Sequence, residues 1–232
     1  MAGAGHEVIA ETVMHNYKKI EMQNRLYSQL ENALPNGMVI PLELKLLYEW
    51  IEANGFYVDN DNGTRIGFLC RFKEFFGTSI DFEAQEKDVW YWFDENKDAE
   101  FRSRFCSFAR SGDGSICGLW KSDNDEIKVV HIGSGSGSTL VCVLADNMID
   151  FIKFLAIGYE EICWEEDFAN PPNEKNPDFK PNVIFQEWVK DTFNVEIPKT
   201  ALEIVKYPAT MEDESSEDDF FNWCKSKFSF LE

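Results

Sequence analysis

A chain of 232 residues in which 44% are hydrophobic and 15% aromatic, with 20 Phe and 7 Trp, has enough apolar surface to build one large core, which excludes a natively unfolded chain. Lys and Arg total 22 against 42 Asp and Glu, a formal net charge of −20, so the chain's field repels nucleic-acid phosphates and anionic membranes and attracts basic proteins. The six cysteines, Cys70, Cys106, Cys117, Cys142, Cys163 and Cys224, form no Cys-x-x-Cys pair, and most lie in apolar runs. They read as buried free thiols, which suits a reducing compartment. With no basic-then-apolar leader at Met1–Glu7 and no apolar run near the ~18 residues of a membrane span, the expected location is cytoplasmic.

In chain order, residues 6–33 predict a helix from the spacing of Val8, Ile9, Val13, Tyr17, Ile20, Asn24 and Tyr27, stopped by Pro35-Asn36-Gly37. A second helix is predicted from Pro41 to Ala53, with Leu44, Leu47, Tyr48 and Ile51 inward and Asn54-Gly55 as its stop. Asp61-Asn62-Gly63 is a turn, and residues 64–70 read as extended. Residues 72–100 fit neither period well, and the Trp90-Tyr91-Trp92-Phe93 cluster reads as core. Four strands follow, at 105–109, 116–121, 127–132 and 139–144, separated by the short turns of an antiparallel meander.

Asp146 is the candidate cap of the next helix, whose inward face is Met148, Phe151, Ile152, Leu155 and Ala156 and whose stop is Gly158. Between Tyr159 and Asp178 stand seven carboxylates and one base, Lys175. A Pro/Asn-rich loop at 170–182 leads to a helix over 183–193, with Ile184, Phe185, Trp188 and Val189 inward. Met211 to Asp219 holds six acids and no base and reads most simply as a solubilising stretch. A short aromatic helix over 220–228 closes the chain.

Catalytic templates fail on residues. His6 and His15 fall on the first helix at solvated positions, and His131 sits among Val129, Val130 and Ile132 as a sheet histidine. No His-x-x-x-His or His–Cys cluster suggests zinc. Gly133-Ser134-Gly135-Ser136-Gly137 lacks the Gly-Lys-Ser/Thr ending of a phosphate loop and joins two strands, so it reads as a hairpin turn. Asp59, Asp61 and Gly63 imitate the start of a calcium loop but lack its closing Glu. Paired carboxylates abound, but among 42 acids their proximity says little about catalysis. The expectation is no catalytic residue, no cofactor and no metal.

Four motifs stand in fixed order: Phe108-Ala109-x-x-Gly112-Asp113-Gly114; Cys117-Gly118-Leu119-Trp120; Val129-Val130-His131-Ile132-Gly133-Ser134; and Leu144-Ala145-Asp146-Asn147-Met148-x-x-Phe151-x-x-Phe154-Leu155-Ala156-x-Gly158-Tyr159. In this order they resemble the SUKH superfamily, which includes fungal cell-wall assembly regulators and many bacterial immunity proteins. The 188–189 helix and the Asp219-Phe220-Phe221-x-Trp223 ending are similar to its C-terminal elements, whereas the first hundred residues show little likeness. Gly135 stands where the family usually carries an acid. The resemblance implies function by protein binding, often neutralisation of a secreted nuclease or deaminase toxin.

The expected fold is α+β, a mainly antiparallel twisted sheet with helices packed on one face. Residues 1–232 are expected to form a single SUKH-like domain, with 1–35 as an N-terminal helical extension and 181–232 as C-terminal helical elements. The expected function is that of a non-enzymatic immunity protein that occludes a cognate basic toxin. The alternative is a regulatory or scaffold protein of the cell-wall assembly regulator type. The candidate partner-binding residues are the acids of one rim: Asp123, Asp125 and Glu126 in one turn, and Glu160, Glu161, Glu165, Glu166 and Asp167 in one segment. No nucleic-acid or membrane partner is expected, and the sequence leaves the oligomeric state open.

Overall fold

The computed structural model describes residues 24–84, 99–175 and 178–227. Most of the expected 6–33 helix, His6, His15, the Trp90–Phe93 cluster and residue 228 of the last helix lie outside these residues.

The first described helix, α1 (Arg25–Ala33), starts at Asn24, which is extended (φ −80°, ψ 115°) and accepts the Tyr27 N–H at 2.8 Å. The helix expected over 6–33 does not run through position 24, where the Asn side chain takes up a backbone donor of the turn that follows. Two more of those donors, the N–H groups of Arg25 and Leu26, reach Glu52 at 2.8 and 3.0 Å. Glu52 belongs to α2 (Leu42–Ala53), which buries Leu44, Leu47, Tyr48 and Ile51 as expected.

Seven strands form one sheet in sequence order: β1 (Tyr57–Asp59), β2 (Arg65–Gly67), β3 (Ile80–Phe82), β4 (Phe105–Ser111), β5 (Ile116–Lys121), β6 (Ile127–Ile132) and β7 (Val141–Ala145). Every neighbouring pair is antiparallel. A bulge between Ser107 and Ala109 and another shift at Val129/Val130 break the strict alternation. The short helix α3 (Ala99–Arg104) runs directly into β4.

Strand alternation puts Leu119 and Trp120 on opposite faces. On the Leu119 side, Phe82 meets Tyr48 of α2 with ring centroids 5.9 Å apart. The next helix, α4 (Met148–Ile157), brings Phe151 to 5.6 Å from Phe108, and its Phe151, Ile152 and Phe154 have no exposed surface. Its cap is Asn147, one residue after the expected Asp146, because Asn147 is the extended residue whose side chain accepts the Asp150 N–H at 2.9 Å. Asp146 instead pairs with Lys128 and Lys206. Gly158 ends α4 with φ +99°, a conformation strained for any residue with a Cβ. Helix α5 (Val183–Phe193) lies against α4 and closes over Trp50 of α2 through Phe185 and Trp188, at 5.3 and 5.2 Å.

The Trp120 side is also covered. Helix α6 (Asp219–Lys227) sets Phe220 and Trp223 against Trp120 at 5.2 and 5.6 Å. Phe105 lies flat over Gly118: a Cβ there would fall 2.2 Å from its ring, so only glycine lets Phe105 reach the aromatic stack with Phe101 and Phe220. The fold is thus α+β, an antiparallel seven-stranded open sheet with helices, in which α6 adds a second cover opposite the main helical layer. The outer edge of β7 is occupied too. Val141 N–H donates to Ala209 at 2.7 Å, and Met211 N–H to Thr139 at 2.8 Å.

Candidate partner-binding surface

The end of the sheet where β4, β6 and the start of β7 meet is organised by Asp113. Its carboxylate accepts Ser111 Oγ (2.6 Å), Ser115 N–H (3.1 Å), Ser115 Oγ, Ser134 Oγ (3.2 Å) and Ser138 N–H (3.2 Å). Burial pushes its acidity down, but the bonds from Ser111 and Ser115 outweigh that and hold its pKa at about 2. One carboxylate therefore ties the 111–115 turn to the glycine-rich 133–138 turn. The latter is a hairpin connection, as the sequence suggested.

Onto this end docks the acidic segment that follows Gly158. Ser79 N–H donates to Glu160 O at 2.9 Å, and the buried Ser138 hydroxyl to Cys163 O at 2.7 Å. The Tyr159 hydroxyl donates to Asn170 O at 2.8 Å and accepts Ala201 N–H at 2.9 Å, which fixes the ring beneath the segment. Glu161 accepts the Trp164 indole N–H at 2.6 Å. Residues 165–167 form one 3₁₀ turn.

Between the segment and the following loop opens a cleft of about 400 Å³, lined in part by Tyr159, Glu160, Glu161, Trp164, Asp167 and Phe179. No ion pair reaches Glu161, Glu165 or Glu166 among the described residues. The cleft thus sets the carboxylates of Glu160, Glu161 and Asp167, of which Glu161 has no ion pair among the described residues, beside aromatic faces, the chemistry that holds an ammonium or guanidinium group.

The other half of the expected rim lies elsewhere. The 122–126 turn joins β5 to β6 beside the Lys121–Ile127 pair, whereas residues 160–163 dock beside Ser79 and Ser138, at the Ser111–Ile116–Ile132 end. The length of β5, about 20 Å at ~3.3 Å per residue, separates the two ends. Asp123, Asp125 and Glu126 therefore do not form one rim with the 160–167 acids. Adjacent hairpin turns in a meander fall at opposite ends of the sheet, and sequence proximity hides this. Two of the three turn acids are also locally offset, Asp123 by Arg104 at 2.7 Å and Asp125 by Lys121 at 3.0 Å.

The remaining candidates have structural roles. His131 is fully buried, its Nδ1 2.9 Å from Leu140 O, and burial holds its pKa below the usual histidine range. Its Nε2 has no partner among the described residues, so its hydrogen-bonding capacity is only half used. Asp59 pairs with Arg25 and Arg65. The six cysteines are free thiols, five of them buried. Among the described residues no group of three or more His, Cys, Asp or Glu is placed to hold a metal ion, and no helix is long and apolar enough to cross a membrane.

Two residues of the site escaped the sequence reading. Trp164 stands inside the acidic 160–167 segment, and only the fold places it in the cleft wall. Asp113 stands in the sequence as the middle of the Gly112-Asp113-Gly114 turn motif, and its bonds to the 133–138 turn have no local signature. The chain matches no known protein family model, no curated protein and no solved structure.

Proposed function

We propose that this chain is a non-enzymatic protein-binding module of the immunity type, which neutralises a basic partner by seating one of its cationic side chains in the cleft at Glu160–Asp167. The observation that carries this reading is a run of five carboxylates pinned to the sheet end by backbone and serine hydrogen bonds, with no ion pair to Glu161, Glu165 or Glu166 among the described residues. A pre-ordered charged surface pays little ordering entropy on binding, and a field of −20 speeds the approach of a basic protein. The resemblance of the motif order to that of the SUKH superfamily points the same way. The two carboxyls with the most displaced acidity, Asp113 and Asp218, spend their oxygens on backbone and serine donors and line no part of the cleft. That favours binding over acid–base catalysis there. A complex of this kind covers about 1,200–2,000 Å² in total.

The test is co-expression with the products of neighbouring genes, scored by rescue from toxicity and by co-purification. Wild type is expected to rescue and to bind in a salt-sensitive way. Reversal of Glu161, Glu165 and Glu166 to lysine is expected to abolish both, and reversal of Asp123, Asp125 and Glu126 to leave both intact. Rescue that survives the first reversal would remove the cleft from the mechanism.

A further inference from the structure

The loop over residues 68–79, between β2 and β3, holds three phenylalanines in water: Phe75 is 78% exposed, Phe72 52% and Phe76 38%. A contiguous aromatic patch of this kind is unfavourable unless something covers it. The loop is not loosely attached. Leu69 O accepts the buried Asn182 amide at 2.7 Å, Gly77 N–H donates to Lys180 O at 2.8 Å, and Thr78 Oγ1 to Leu155 O at 3.1 Å. Both ends are therefore tied to the α4 and α5 side of the domain while the phenylalanines project between them. The loop borders a cavity of about 320 Å³ walled in part by Val58, Ile66, Phe68, Phe72 and Ile80, with Arg71, Lys73, Glu74 and Asp81 also in its lining, and with room for one large apolar side chain.

Glu160 stands in the wall of this pocket and in the wall of the acidic cleft. We propose that the two cavities are halves of one interface, in which the Phe-lined pocket takes a large apolar side chain of a partner segment and the cleft takes an adjacent Lys or Arg. This rests on the acidic reading of the cleft given above. Charge selects the occupant. A second copy of this chain would bring another −20 to a surface already carrying Glu160, Glu161 and Asp167, and an anionic lipid surface meets the same repulsion. A basic protein is attracted, and an apolar anchor beside a cationic one gives the buried core and charged rim of a specific interface.

The test uses fluorescence anisotropy with three short synthetic peptides of one backbone sequence, carrying Arg next to Trp, Arg next to Ala, or Glu next to Trp. Wild type is expected to bind the Arg–Trp peptide about tenfold more tightly than either other peptide, the loss typical of truncating one buried anchor. In the Phe72→Ser/Phe75→Ser double variant the Arg–Trp advantage over Arg–Ala should vanish, with the salt-sensitive binding of Arg–Ala retained. Both side chains are exposed, so an unchanged thermal melt is expected to show that the variant is folded. A double variant that still discriminates Trp from Ala would overturn the proposal. So would a wild-type dimer in sedimentation that the serine variant dissolves, because the patch would then belong to self-association. If the Glu–Trp peptide binds as well as Arg–Trp, and only the serine variant loses both, the acidic reading of the cleft falls while the apolar pocket stands.

Discussion

At the scale of single residues, Asp113 shows how a carboxylate organises two turns. Each of its oxygens accepts from serine or backbone donors, and these bonds are stronger to the ionised form. Its pKa lies at about 2, below the ordinary 3.8, so the unfolded chain takes up a proton before the folded one does. Its stabilising contribution is therefore complete above the unfolded value and is lost as pH falls through about 2. Asp113→Asn is expected to destabilise the protein by about 1–2 kcal/mol near neutral pH, after allowing for partial exposure. Urea denaturation across the pH range checks this, and the deficit should shrink between about pH 4 and pH 2. A deficit that stays constant to the lowest pH would show that the turns respond to shape and not to charge.

At the scale of elements, α6 hangs on Asp218. Its side chain accepts Phe221 N–H at 2.8 Å and Val143 N–H at 2.9 Å, so it caps the helix and also satisfies a donor on the edge strand β7. Two acids of the 211–219 run are thus structural, since Asp213 likewise accepts Thr210 N–H at 2.7 Å. Burial pushes the Asp218 pKa up to about 6 in spite of these bonds. Here the sign is opposite to that of Asp113. The folded state holds the proton more tightly, so the contribution is complete below the unfolded value and is lost as pH rises through about 6. Wild type is expected to gain on the order of 2 kcal/mol relative to Asp218→Asn between about pH 8 and pH 4. Paired denaturation curves read this directly, and parallel pH profiles for the two proteins would exclude Asp218 as the group that titrates.

At the scale of the whole molecule, charge acts twice and in opposite senses. A formal −20 on one domain repels itself, so added salt should stabilise the fold. The same salt screens the attraction of a basic partner, with a Debye length of ~10 Å at 0.1 M. Raising NaCl from about 0.01 to 0.3 M is expected to raise Tm by roughly 2–4 °C for each kcal/mol of repulsion relieved. If the chain binds the basic partner proposed above, that association should slow over the same range. Calorimetry and stopped-flow association on one preparation test both. A Tm that falls with salt would mean that exposed ion pairs such as Asp123–Arg104 outweigh the net repulsion.

The amino-acid sequence alone determined the elements whose periodicity is long: α2, the four strands from β4 to β7, α4 and α5 each repeat an apolar residue at the spacing of their own geometry, although Ile184, expected inward on α5, is exposed. It also determined the turns, because Gly114 and Gly158 occupy conformations that other residues resist. The three-residue strands β1, β2 and β3 are too short to show a period, and they exist because a neighbouring strand supplies hydrogen bonds. That the acids of 123–126 and 160–167 fall at opposite ends of the sheet, and that Trp164 and Glu160 meet in a cleft, followed from pairing register and loop anchoring. Only the tertiary structure decided these, because distance in space between residues far apart in the chain is set by packing and has no local signature in the residues themselves.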